Sequence, residues 1–254
     1  MARNSQTRDI LSALSLACVL LTRIPMPTRG GAADLSRSAW AWPLIGLLVG
    51  ALTALAATVA LMLGFPPGLA AAVALATGIV VTGAMHEDGL ADTADGFWGG
   101  QTIARRLEIM RDSRIGTYGV LALVFSVLIR WAALSALFDA GWIWVPLLVA
   151  AATSRAAMAV AMHLLPNARH DGLSHDTGRP DRRVVLSGVA IAAVTALGLA
   201  GLAAVWIALT TALVLAGAIQ MSRQKIGGQS GDTLGATQQV CEGTALLTML
   251  VLVT

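Results

Sequence analysis

The sequence predicts an all-α polytopic integral membrane bundle of about seven spans, preceded by a short N-terminal interfacial or re-entrant helix. Three observations carry this. Of 254 residues, 56% are hydrophobic and 12% charged, with a mean hydropathy of +0.74. A soluble domain carries roughly 25% charged residues, so this chain has too little charge to cover a water-facing surface. Apolar stretches near the ~20 residues needed to cross hydrocarbon recur along it, and its basic residues alternate from loop to loop.

The element-by-element reading begins with the segment Ile10 to Leu21, apolar but too short to span comfortably. No small-residue cleavage pattern follows it, so an interfacial or re-entrant helix is preferred to a secretory leader. Spans are expected near 40–64, 68–86, 116–138, 142–165, 184–200, 202–220 and 234–253. Pro66-Pro67 and Gly141-Trp142 mark two short turns, and the 184–220 pair is separated only by a glycine-containing stretch around Gly198 to Ala204. No repeat or low-complexity linker divides the chain, which reads as one integral membrane domain over residues 1–254.

Fifteen of the 17 basic residues fall on alternate loops: Arg3, Arg8, Arg23, Arg29 and Arg37; Arg105, Arg106, Arg111 and Arg114; Arg169, Arg179, Arg182 and Arg183; Arg223 and Lys225. The positive-inside rule makes that side cytoplasmic, with the N-terminus inside and the C-terminus outside. Because the basic residues form no continuous block, the formal charge of +3 is a topology signal and not a nucleic-acid footprint. The two cysteines, Cys18 and Cys241, sit in apolar runs and support neither a disulfide framework nor a zinc site.

The densest polar feature is His86-Glu87-Asp88-Gly89-Leu90-Ala91-Asp92-Thr93-Ala94-Asp95-Gly96, expected at the cytoplasmic end of the second span. On a helix Asp88, Asp92 and Asp95 project from one face. Three carboxylates there repel one another and are costly near a membrane. A hard divalent cation such as Mg²⁺ relieves both problems, taking oxygen ligands and leaving positions for water and phosphate. His86 flanks the cluster as a candidate base. The plainer reading is a solvated stretch that balances nearby arginines.

The stretch Arg111-Asp112-Ser113-Arg114-Ile115-Gly116-Thr117-Tyr118-Gly119 offers guanidinium forks for phosphate and Asp112 as a further metal ligand, against the alternative of helix-flanking ion pairs. The glycine-rich Gly227-Gly228-Gln229-Ser230-Gly231-Asp232-Thr233-Leu234 could bring backbone N–H groups to an anion. It also returns Asp232 to the same membrane face. Arg155, in the fourth span, could reach a substrate phosphate by snorkelling, and Arg130 reads as a structural residue nearer the outer side. Glu242 is open between pairing with a buried arginine and a site role. The polar loop from Pro166 to Asp176 is either a substrate mouth or a solvated connector.

Together these motifs resemble the cobalamin synthase family, the adenosylcobinamide-GDP ribazoletransferases. The resemblance covers nearly the whole chain: Leu21 to Pro27, the HxDGLADTADG pattern at 86–96, RDSRIGTYG at 111–119, Asn167 to Leu173, and GGxxGDxLGA at 227–236. A Leu commonly stands in that family where this chain has Glu87. The resemblance implies a Mg²⁺-dependent enzyme of the cytoplasmic (inner) membrane that joins adenosylcobinamide-GDP to α-ribazole or its 5′-phosphate and releases GMP. In that setting Asp88 and Asp92, with His86, are the expected catalytic residues. Asp88, Asp92, Asp95, Asp112 and Asp232 are the expected metal ligands, and Arg111, Arg114, Arg155, Gly227, Gly228 and Gly231 the expected phosphate contacts. The lipid bilayer is the remaining partner, and assembly into a homo-oligomer is left open. A CDP-alcohol phosphotransferase-like enzyme and an ion-coupled transporter are the alternatives. The first is weakened by the lack of an Arg in the DGxxAR register, the second by the lack of internal repeats.

Overall fold

The computed structural model describes the backbone of residues 2–27 and 35–253 and the side chains of 9–27 and 35–253. Arg3, Arg8 and Arg29, counted above among the inner basic residues, lie outside the described side chains. All elements are helical: α1 (Ala2–Leu21), a 3-10 turn (Ser36–Ala41), α2 (Trp42–Met62), α3 (Pro67–Thr82), α4 (Met85–Gly99), α5 (Ile103–Ile109), α6 (Thr117–Asp139), α7 (Trp144–Leu164), α8 (Leu173–Thr177), α9 (Arg182–Ala200), α10 (Ala203–Ile226) and α11 (Gly231–Val253).

Among the described residues six helical stretches are long and apolar enough to cross a membrane, Ser36–Met62, α6, α7, α9, α10 and α11, or seven if the bent pair α3 and α4 is taken as one span. Each overlaps an expected span, and the pair around residue 200 is resolved by a turn at Gly201 and Leu202. The exception is the second expected span. Instead of one helix near 68–86, α3 ends at Thr82 and α4 leaves at 89° to it. The turn is made by Gly83 and Ala84, at φ 66° and 58°, both in the left-handed region. The acidic motif therefore forms a separate helix after the bend, wedged against α6 and α11.

Apolar matching to lipid cannot hold helices together, so close packing of small residues does. Gly46 and Gly50 on α2 meet the α7 backbone directly, and a Cβ at Gly50 would lie 2.6 Å from the Leu147 carbonyl oxygen. Opposite them α7 offers Ala150, Ala151 and Ala152.

The interior is layered. One apolar cluster joins Ile45 of α2, Met158 of α7 and Leu234 of α11, and α1 covers it with Ala17, Cys18 and Leu21. A second joins Ala54, Ala150 and Leu246 of the same three helices. Between them the three helices carry Thr53, Ser154 with Arg155, and Gln238 with Glu242, so a polar layer crosses the middle of the bundle.

Candidate functional site

The acidic helix α4 begins in that polar layer and runs toward the end of the bundle where α10 stops and α11 starts. Glu87 and Asp88 in its first turn complement the positive helix terminus. Gly89 allows α11 to approach, because a Cβ there would sit 2.7 Å from the Asp232 carbonyl oxygen. That contact brings Asp232 beside the α4 carboxylates. Asp92 is half-buried and lies within the fields of Asp88, Asp232 and Asp95, with Arg169 as its countercharge. Asp88 is exposed. Three acids from two distant segments thus share one patch.

Asp95 faces elsewhere. Its carboxylate accepts the Gly116 N–H at 2.7 Å and the Gly119 N–H at 2.9 Å. The N-cap residue of α6, Gly116, has no side chain to do this, so Asp95 caps α6 from across the interface. Its expected role as a metal ligand gives way to this one.

Asp112 also departs from the expected set. Arg114 grips it through Nη2 at 2.6 Å and through its own backbone N–H at 3.1 Å. The Arg114 side chain, followed by its backbone N–H, holds the Asp112 carboxyl down to about 2, and Asp112 in turn holds the guanidinium up. Arg111 is paired with Asp171 in an exposed bridge. It lines an open groove of about 530 Å³ together with Glu108, Arg169 and His170.

Arg169, not singled out as a ligand from the sequence, is the cation the fold brings to the acids. It lies 3.3 Å from Asp232 and donates to the Leu107 carbonyl at 3.2 Å, while its Nε has no partner among the described residues. A backbone bridge fixes its position: Gln229 donates to Pro166 O at 2.8 Å, and Ala168 donates to Gln229 O at 2.8 Å. Ser174 completes it by donating to the Gln229 side chain at 2.6 Å. The loop read as a substrate mouth is thereby tied to the glycine-rich loop. Within the latter, Gly227 terminates α10 in the left-handed region, Gly228 packs on Pro166 O, and Gly231 opens α11. The start of α11 is capped by Ser230 and Thr233, each donating its N–H to the other's hydroxyl, at 2.9 and 3.4 Å. Two of the three glycines therefore serve the turn itself.

Arg155 and His86 are also redirected. Arg155 is buried and donates to Glu242 at 2.8 Å, which answers the question left open for Glu242 and removes Arg155 from the phosphate contacts. Arg130 is buried too, 3.4 Å from Glu87 and 3.5 Å from Glu242, and is not an outer snorkeller. His86 sits two residues before Asp88, nearly opposite it around a helix. Its ring lines a cavity with Glu87, Arg130 and Arg155 and does not join the Asp88–Asp92–Asp232 patch. The sequence offered a buried arginine as one partner for Glu242 without saying which, and gave no sign of the Arg130–Glu87 pair; charged residues inside apolar spans were the signal that partners exist.

Among the described residues no three His, Cys, Asp or Glu side chains converge as a ready-made metal cage. Mg²⁺ is commonly held by one or two carboxylates and completed by substrate phosphate and water. The crowded oxygen donors of Asp88, Asp92 and Asp232 fit that chemistry.

The family model for cobalamin-5-phosphate synthase matches residues 13–250. A protein of Bradyrhizobium diazoefficiens named adenosylcobinamide-GDP ribazoletransferase is 45% identical over 94% of this chain and 94% of its own length. Proteins of the same name from Mesorhizobium japonicum and Brucella ovis are 43% and 40% identical, covering 94% and 97% of this chain and 93% and 98% of theirs. No solved structure matches. With acidic helix and returning α11 both inside a match that spans nearly the whole chain, this protein is an enzyme of cobalamin biosynthesis and belongs to the cobalamin-5-phosphate synthase family.

Proposed function

We propose that this chain joins adenosylcobinamide-GDP to α-ribazole or its 5′-phosphate, giving adenosylcobalamin or its phosphate and GMP. The names of its relatives supply the substrate, and one observation carries the site. Asp88 and Asp92 of α4 meet Asp232 of α11 beside Arg169, at the edge of an open, arginine-lined groove. A diphosphate needs that combination of oxygen donors and a guanidinium.

In the reaction a ribose hydroxyl oxygen of the ribazole attacks the cobinamide-linked phosphorus. The bond from that phosphorus to the bridging oxygen breaks, and GMP leaves with the oxygen. Arg169, which lines the groove, takes a phosphate oxygen, and Arg111 can exchange its exposed carboxylate partner for another. The Asp92 carboxylate accepts the hydroxyl proton; His86, on the far side of α4, does not. Asp88 and Asp92, with Asp232, would hold Mg²⁺, which when bound neutralises the pyrophosphate and stabilises charge on the leaving oxygen. The alternating basic loops support an inner-membrane setting with this patch on the cytoplasmic side.

The test is GMP release by detergent-purified protein given adenosylcobinamide-GDP, α-ribazole and Mg²⁺. Asp92→Asn is expected to slow release by roughly 10²–10⁴-fold, the span typical of a lost general base. Asp88→Asn should shift the Mg²⁺ requirement to higher concentration. Arg169→Lys should raise KM more than it lowers kcat, because a point charge cannot reproduce the fork. Near-normal release by both Asn variants at low Mg²⁺ sinks the assignment.

A further inference from the structure

Behind the acidic patch, inside the bundle, lies a small cavity of about 40 Å³. Its polar wall is His86, Glu87, Arg130, Arg155, Gln238 and Glu242, and its apolar wall includes Leu134, Leu147 and Leu246. Most of the polar groups are bonded to one another. Gln239 donates to Glu87 Oε1 at 3.1 Å, Arg155 to Glu242 at 2.8 Å, and Gln238 to Ser154 Oγ at 3.2 Å. Four buried atoms of this wall find no partner among the described residues: both ring nitrogens of His86, Glu87 Oε2 and Arg155 Nε. His86 is only 1% exposed, so bulk solvent does not reach it.

We infer that this chamber is a resident water site inside the bilayer, in which ordered waters bridge His86, Glu87 Oε2 and Arg155 Nε. Three lines converge on water as the occupant. The four atoms comprise two donors and two acceptors, counting a neutral imidazole as one of each, which is the pattern water satisfies and a simple ion does not. The two glutamates balance the two arginines, so a further ion would leave the chamber charged in a low-dielectric layer. At ~10–15 Å³ per molecule, the cavity of about 40 Å³ has room for on the order of three waters, each able to make about three hydrogen bonds.

The backbone gives an independent reason. The chamber wall includes Gly78, Ile79 and Thr82 at the end of α3 and His86 and Glu87 at the start of α4, so it straddles the helix break. Glu87 is level with Arg130, near the middle of α6, and with Glu242, near the middle of α11. A non-helical turn at that depth is tolerated only where it is buried in protein or lines a wet cavity. The cavity lies beside that turn, between Thr82 and His86.

The test uses wild-type protein in lipid nanodiscs. A cryo-EM map at a resolution showing ordered solvent should contain discrete peaks within hydrogen-bond distance of the His86 ring and Glu87 Oε2, unchanged when sodium chloride is replaced by potassium gluconate. Solid-state NMR should show magnetisation transfer from water to ¹⁵N-labelled His86. His86→Phe should lose both signals while the Arg155–Glu242 contact persists. A collapsed chamber in which the His86 nitrogens bond directly to protein, with no transfer from water, overturns the inference. So does a single peak that follows the salt, which would make the occupant an ion.

Discussion

Replacing Glu242 by Leu leaves Arg155 without its carboxylate at the centre of the bundle. The pair is the shortest in the interior ion network, 2.8 Å, with the arginine side chain 3% exposed. Removing one partner of a buried pair typically costs about 3–5 kcal/mol, because the other charge stays behind uncompensated. For a chain of this size, at about 2–4 °C per kcal/mol, that lowers the melting temperature by roughly 6–20 °C. Arg155→Met should cost a similar amount by stranding Glu242, softened by the 3.5 Å contact Glu242 keeps with Arg130. The double variant removes one charge of each sign. Arg130 then keeps Glu87 at 3.4 Å, and Gln238 keeps Ser154 at 3.2 Å. Replacing both members of a buried pair by apolar groups is close to neutral, so the double variant should melt near the wild type. The assay is thermal unfolding followed by tryptophan fluorescence in one detergent, alongside GMP release. Additive losses in the double variant would refute the view that charge balance holds this layer together. A double variant that regains stability yet releases no GMP would return Arg155 to the substrate.

Three further outcomes follow from local geometry. Asp95→Ala removes the cross-interface cap on α6 and should destabilise the protein by about 1–2 kcal/mol without altering the Mg²⁺ dependence of turnover, read by parallel melting and Mg²⁺ titration. Ala84→Gly relieves a left-handed Cβ strain of about 1 kcal/mol and should raise the melting temperature slightly, whereas Ala84→Val should lower it and reduce activity by disturbing the α3–α4 turn. Asp112 is depressed to about 2 by Arg114, so it stays ionised as the pH falls from 7 to 4, and its pairing is lost only near pH 2. The Asp112→Ala variant should accordingly show the wild-type pH profile and Mg²⁺ requirement; a changed requirement would restore Asp112 to the metal site.

Much of the architecture was readable from local pattern. The spans around α2, α6, α7, α9, α10 and α11 lie close to the apolar runs that announced them, since the bilayer fixes how many apolar residues a span needs. Asp88 and Asp92 could be assigned to one helical face because their spacing matches the helical period. The α3–α4 break was less legible. Gly83 and Ala84 carry no proline or polar cluster, and their left-handed turn is sustained by what packs on either side.

Taken alone, the order of residues determined the solvent, the helical class, the approximate spans and the chemical character of the acidic and glycine-rich segments. These depend on length, period and charge, which are local properties. Only the tertiary structure decided which charges meet: Asp232 with Asp88 and Asp92, Asp95 with the α6 amides, Arg155 and Arg130 with Glu242, and Arg169 in preference to Arg114 beside the acids. In lipid every apolar face is equally satisfied against a neighbour or against acyl chains. Helix rotation and pairing are therefore set by small-residue contacts and buried polar partners, and those lie far apart along the chain.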